Sequence, residues 1–368
     1  MSKAAELANL IGNINAGGGG ANKNLFINGS MAVAQRGTSH TTATSYTLDR
    51  WNISETTDGA VTITQDSSVP SGSGLANSYK LDVTTADTSL GSSQRVFPHQ
   101  IIEAQNCQVL QYGTSEAKPI TLSFFVKSNV TGTYTVLFYN SDASKHQSAT
   151  YTIDSADTWE QKKITIQGDT ASGFNDDNGA GLEISWWLAA GSSFTSGTLG
   201  TGSWQSETAA NKVSSSNVNI MSSTDNEWFL TGCQVEVGQN ATTFEHEPVE
   251  RTLAKCQRYF YAHADGGEAS DSNVGTGTMY NSTILMCCVD FPVQMRALPT
   301  FSYVNLSGAY KFWRDGSSDN FNTFTYLYSE SSRSAAIQAE ADVSGTSGQA
   351  GRIQLGGSSA YIRFDAEL

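Results

Sequence analysis

The sequence predicts a mainly β protein: a short N-terminal helix, a large jelly-roll β-sandwich, a short connecting helix and a smaller C-terminal β-sandwich. Three observations carry this. Ser, Thr, Gly and Asn are abundant, and these residues suit strands and turns better than helix interiors. Short runs alternate apolar with polar residues, as in Val61-Thr62-Ile63-Thr64 and Ile164-Thr165-Ile166, so that one face meets a core and the other meets water. The 16 Phe, 14 Tyr and 7 Trp supply enough large side chains to fill such cores. The absence of a fixed-period repeat argues against a β-helix.

In chain order, residues 2–14 read as a short helix, because Leu7, Leu10, Ile11 and Ile14 make one apolar stripe. A helix this short is marginal alone, and the stripe calls for a partner. Self-association or docking is weighed against a disordered tail. Gly17–Gly20 ends the helix and makes a hinge, so that 1–23 form an attachment segment. Residues 24–248 form the large sandwich. Its predicted strands are Leu25–Asn28, Tyr46–Ser54, Ala60–Gln65, Ser78–Thr84, Ile120–Lys127, Gly132–Tyr139, Ser148–Ile153, Glu160–Gln167, Leu182–Leu188 and Glu227–Val237, with one short helix around His99–Leu110. Residues 249–277 read as a second helix, with Pro248 at its start, followed by a Gly/Ser-rich linker. Residues 278–368 resume β character over Thr278–Val289, Thr300–Val304, Phe321–Tyr328, Ala335–Ala341 and Tyr361–Ala366.

Charge and composition bound the function. The net charge of −14, without a Lys/Arg cluster, disfavours nucleic acid. No run of about 20 apolar residues suggests membrane insertion, and the N-terminus lacks the apolar stretch of a signal peptide. The five cysteines, Cys107, Cys233, Cys256, Cys287 and Cys288, have irregular spacing and read as free thiols acting as small apolar residues. A Cys107–Cys233 disulfide stays open without support. Cys287 and Cys288 are adjacent, so a strand points them to opposite faces.

The search for catalytic chemistry is negative. There is no G-x-S-x-G, P-loop or H-E-x-x-H, and His246-Glu247-Pro248 reads as a loop entering the second helix. No cofactor is expected. Asp176 and Asp177 in FNDDNGAG have three readings: a solvated turn, a structural Ca²⁺ site, or a glycosidase acid/base pair.

Several stretches then acquire a shared meaning: KNLFINGSMAVAQRGTS, YTLDRW, IEAQNCQVLQYG, AKPITLSFFVKSNVTGTY, KKITIQGDT, FLTGCQVEVGQNATTFEHEPVERTLAKCQRYF, FPVQMRALPTFSY and the final FDAEL. Together, from Asn24 to Leu368, they resemble a modular family of fibre and spike proteins of tailed bacteriophages. The resemblance implies a homotrimeric virion appendage, assembled in the host cytoplasm and exposed on the particle. Its jelly roll would be like that of carbohydrate-binding modules, and its tip would recognise a host surface glycan. The N-terminus would dock to the tail, another fibre or the capsid. A head fibre or decoration protein with a purely structural role, and a polysaccharide depolymerase, are the alternatives.

Sugar binding directs attention to aromatic residues, whose faces stack on pyranose rings. Trp187, Trp204 and Trp313 are the candidate glycan contacts. Trp186 and Trp187 are neighbours on one strand, so one faces the core and the other faces away. Trp204 lies in a Gly/Ser-rich stretch and suggests exposure, and Trp313 in KFWRDGSSDN suggests a loop. Ordinary packing or a trimer contact competes at all three, because most Trp residues are largely buried. Trp51, Trp159 and Trp228 are assigned to the core.

Overall fold

The structure is a computed structural model describing residues 3, 23–41, 44–265, 267–328 and 331–368. The predicted helix with Leu7, Leu10, Ile11 and Ile14, and the Gly17–Gly20 hinge, lie outside the described residues. The protein is mainly β and divides into two compact units, one ending at Thr252 and taking in Leu368, the other spanning Leu253–Glu367.

The first unit contains strands β1 (Ser39–His40), β2 (Thr44–Tyr46), β3 (Asn52–Glu55), β4 (Ala60–Asp66), β5 (Ser78–Thr85), β6 (Arg95–Glu103), β7 (Ile120–Ser128), β8 (Gly132–Asn140), β9 (Lys145–Ile153), β10 (Glu160–Ile166), β11 (Ala180–Trp187), β12 (Ala189–Ala190), β13 (Gln205–Ser206) and β14 (Glu227–Val237). Sheet I has the order β1-β4-β5-β14-β7-β10. Sheet II has the order β13-β9-β8-β11-β6-β3-β2, with β12 also paired to β6. The strand pairs are antiparallel, and the two inner faces enclose one core, as in a jelly roll.

The alternation read from the sequence orients these strands. Val61 and Ile63 of β4 are buried, and Leu182, Ile184 and Trp186 of β11 are fully enclosed. A chain of aromatic rings crosses the core. Trp51 and Trp186 lie 5.5 Å apart by ring centroid, Trp186 and Phe124 5.7 Å, Phe124 and Tyr151 5.2 Å, and Tyr151 and Tyr134 5.3 Å. Truncating one such ring to Ala typically costs about 3–5 kcal/mol.

In β14 the inward set changes parity. Trp228 and Leu230 face the core before Gly232, and Cys233, Val235 and Val237 face it afterwards. The register against β7 shifts between Thr231 and Gln234, which marks a bulge. Gly232 supplies the left-handed backbone (φ 60°) that this bulge needs.

Several sequence expectations are corrected. Arg95–Glu103 is a strand, and only Ala104–Leu110 forms a 3₁₀ turn, so the helix predicted around His99–Leu110 is mostly β. Phe97 and Ile102 on opposite faces are both buried, and a strand covered on both sides hides its period-2 signal. Leu25–Asn28 is irregular, and Tyr46–Ser54 breaks into β2 and β3 around a turn. Trp159 is half-buried outside the main core, against Phe229 (6.0 Å) and beneath Lys127 (5.6 Å). All five cysteines are free. Cys287 is buried and Cys288 exposed, as their adjacency predicts.

The division between the units falls inside a helix, Val249–Gln257. The second unit has β15 (Phe260–Ala264), β16 (Asn273–Met279), β17 (Leu285–Asp290), β18 (Thr300–Tyr303), β19 (Tyr310–Arg314), β20 (Ser317–Phe321), β21 (Thr325–Tyr328), β22 (Ser334–Ala339), β23 (Ala350–Leu355) and β24 (Ile362–Asp365). Sheet III has the order β15-β24-β18 and sheet IV the order β20-β19-β23-β16-β17-β22-β21. Tyr310, Phe312, Ile353, Leu355, Ile362 and Phe364 belong to their shared core. The region read as a linker thus supplies two strands, β15 and β16. The β19–β20 hairpin was missed. Asp315 and Gly316, both at positive φ (48° and 76°), form its two-residue turn, the Asp-Gly pattern that matches strand twist.

Candidate functional site

The outer face of sheet II, pointing away from the main core, carries the candidate site. Alternation sends Phe97, His99 and Ile101 of β6 outward. Their neighbours on that face are Glu183, Ser185 and Trp187 of β11, and Leu137 and Tyr139 of β8. Asn52 of β3 is directly opposite His99.

One part of this face is closed. After β11 the chain makes a long excursion that returns to β14, and its short helix α1 (Ser192–Thr195) places Phe194 over Trp187, with ring centroids 5.1 Å apart. Phe97, Leu137, Trp187, Phe194 and Val213 form a separate apolar cluster there. Trp187 is 2% exposed, and its indole N–H donates to Ser185 Oγ at 3.1 Å.

The adjoining part is polar and partly buried. Ile101, Glu183 and Tyr139 form one row across three strands, and Asn52, His99 and Ser185 form the next. Strands about 4.8 Å apart and rows about 7 Å apart give a footprint the size of one or two sugar rings. Asn52, His99, Ile101, Glu183 and Tyr139 are all half-buried. The excursion supplies a rim: Tyr139 Oη donates to Glu207 at 3.0 Å, Lys212 pairs with Glu207, and the Lys212 ammonium lies 5.4 Å from the Tyr139 ring centre.

The electrostatics separate the acids. Hydrogen bonding from Lys212 holds Glu207 below the usual carboxylate range. The Glu183 side chain makes neither a hydrogen bond nor an ion pair with any described residue. Burial pushes it up to about 7, and the nearby charge of Glu207 adds to this against the pull of Lys212 and Arg95. Burial lowers His99 to about 4, so it is neutral at pH 7. The Asn52 Oδ1 atom is buried without a hydrogen-bond partner. The patch therefore brings together an amide and a neutral imidazole, whose Oδ1 and Nδ1 atoms are buried without partners, and the Glu183 carboxyl, beside the flanks of Ile101 and Tyr139. Such a set suits an uncharged polyhydroxylated ligand, which needs both donors and acceptors.

The residues nominated from sequence are not brought together. Trp187 is on the outer face of β11, as alternation requires, but it is buried by the excursion and is not a free stacking platform. Trp204 is half-buried and packs against the main core, edge-on to Tyr112 at 5.7 Å, with its indole N–H donating to the Gln167 carbonyl at 2.8 Å. Trp313 lies on strand β19 of the second unit, not in a loop, and is 38% exposed. Asp176 and Asp177 are exposed. Asp177 accepts the Gly179 N–H at 2.9 Å and the Gln105 N–H on its carbonyl at 2.8 Å. Among the described residues, no group of three or more His, Cys, Asp or Glu side chains is placed to hold a metal ion.

Sequence reasoning missed Asn52, His99, Glu183 and Tyr139. A usable signal lay in LEISWW, where Glu183 interrupts a strand otherwise rich in apolar residues.

These features define an antiparallel β-sandwich with a partly walled polar face. The sequence matches no family model and no curated protein. Among solved structures it is similar to the enzymatically active domain of tailspike protein 4 of bacteriophage CBA120, at 16% identity over 58% of this chain and TM-score 0.34. The match spans 21% of that tailspike chain. It is also similar to the family 11 carbohydrate-binding module of a Clostridium thermocellum cellulosomal cellulase (13% identity, 54% of this chain, 91% of that one, TM-score 0.26). A further likeness is to a two-module xylanase fragment of Clostridium thermocellum complexed with xylohexaose (12%, 60%, 29%, TM-score 0.30).

Proposed function

We propose that this chain is a homotrimeric fibre or spike of a tailed-phage virion, and that it attaches to host-surface glycans through the polar part of the outer face of sheet II. The observation that carries the binding reading is the uncommitted Glu183 carboxyl between Ile101 and Tyr139, one row from His99 and Asn52. The Glu183 carboxyl has no side-chain partner among the described residues and can accept or donate a hydrogen bond to ligand hydroxyls. The virion assignment is supported by the ordered sequence stretches from Asn24 to Leu368. Weak contacts to sugars gain strength when three copies act at once.

The test uses the full chain. Light scattering is expected to give three times the 39.3 kDa chain mass; a monomer removes the trimer. Purified host lipopolysaccharide and capsule, immobilised, are expected to retain the protein. Glu183→Gln and His99→Ala should each weaken retention about tenfold, the scale of one lost polar contact. Equal retention of both variants moves the site off sheet II. Release of reducing ends from the same glycans turns the reading into a depolymerase.

A further inference from the structure

The outer face of sheet IV carries a second, unrelated arrangement. Tyr310 and Phe312 of β19 and Ile353 and Leu355 of β23 face the core of the second unit, so the residues between them face out. Trp313 is therefore outward, directly opposite Arg352 on β23 and Ser318 on β20, and Arg352 is in turn opposite Thr276 on β16. Arg352, Ser318 and Thr276 are all exposed.

The other charged side chains beside Trp313 on this hairpin have polar partners. Lys311 pairs with Asp271 at 2.8 Å, Arg314 pairs with Asp319 at 2.7 Å, and Asp315 accepts from Gln349. The Arg352 side chain makes no hydrogen bond or ion pair with any described residue. It is an uncommitted guanidinium in a chain of net charge −14, held on a strand beside an exposed indole. The strand before it is held close to β19 by Gly351, where an added Cβ would stand 2.4 Å from the Trp313 carbonyl oxygen and 2.6 Å from the Phe312 ring. Only glycine lets the two strands approach this closely.

We infer that Trp313 and Arg352 form a second saccharide site, selective for an acidic sugar. The indole presents a flat apolar face to the C–H side of a pyranose ring, and the guanidinium presents paired N–H groups to a ring carboxylate. Ser318 and Thr276 flank the pair with hydroxyls. This site is independent of the sheet II reading, and each survives the failure of the other.

The experiment measures binding of the full chain to tetramers of galacturonate, glucuronate and N-acetylneuraminate, with a galactose tetramer as the uncharged control. The chain is expected to bind at least one acidic tetramer about tenfold more tightly than the control, as one charge-assisted contact provides. Arg352→Gln should erase that preference, and Trp313→Ala should weaken binding of the acidic tetramer about tenfold. Melting temperatures matching the parent chain show that the variants fold, and Trp313→Phe, which keeps an aromatic face, should retain part of the binding. The inference is overturned if no acidic tetramer is preferred, or if folded Arg352→Gln keeps the preference.

Discussion

The indole N–H of Trp51 donates to the main-chain carbonyl of Asn28 at 3.1 Å, joining the FINGS and LDRW stretches in the core of the first unit. The Asn28 side chain completes the junction. Its amide donates to the carbonyls of Val33 (2.9 Å) and Asp49 (3.0 Å), and its Oδ1 accepts the Val33 N–H (3.0 Å). Gly29 follows because an added Cβ would come within 2.1 Å of the Cys233 carbonyl oxygen.

Asn28 is 3% exposed and holds a left-handed backbone (φ 58°). Asn28→Ala is expected to cost about 2–4 kcal/mol, from three lost buried hydrogen bonds and from backbone strain. Asn28→Gly should recover about 1 kcal/mol of that by relieving the strain alone. Urea unfolding of both variants measures the difference.

Glu183 makes stability depend on pH. Its folded pKa, about 7, lies above its ordinary value of 4.5, so folding favours the protonated form. The contribution is fully present below 4.5 and is lost as pH rises through 7. Glu183→Gln should flatten the fall in stability between pH 4.5 and 7. Denaturation midpoints at pH 5 and pH 8 that converge in the variant bear this out; unchanged spacing argues against it. His99 acts at the other end, its stabilisation fading as pH falls from 6.5 towards 4.

Trp187 acts as the keystone of the cluster beneath the excursion. Trp187→Ala is expected to cost about 3–5 kcal/mol, as for other buried rings. Proteolysis should then cut first between residues 190 and 220, where the covering segment has lost its seat. A variant as stable and resistant as the parent would restore Trp187 as a candidate for ligand contact.

The thiols give an inexpensive check on the second unit. Cys288 is exposed, and the other four cysteines are buried. Burial raises Cys107 to about 12 and Cys287 to about 11, so neither forms thiolate readily. A thiol reagent should label one site in the native protein and five in denaturant, with Cys288→Ser removing the native reaction.

The sequence made strand positions legible wherever one face met water. Val61-Thr62-Ile63-Thr64 and Ile164-Thr165-Ile166 are found in β4 and β10, and Trp186 and Trp187 face opposite ways. Legibility failed where a strand is covered on both sides, as at Phe97 to Ile102. The candidate site was obscure for a related reason. Asn52, His99, Glu183 and Tyr139 come from four strands, and only the pairing register places them side by side. The covering of Trp187 was hidden because its lid, around Phe194 and Val213, lies in a Ser/Gly-rich stretch that carries little local pattern.

The place of β14 between β5 and β7 in sheet I has a consequence for biosynthesis. Residues 227–237 emerge from the ribosome long after 78–85, a delay of roughly 10–30 s at ordinary elongation rates. Until then the β4–β5 and β7–β10 pairs are nascent halves with unsatisfied borders, open to sticking to neighbouring polysomal chains. Slow translation upstream of Glu227 should therefore lower the yield of native product without altering the finished molecule.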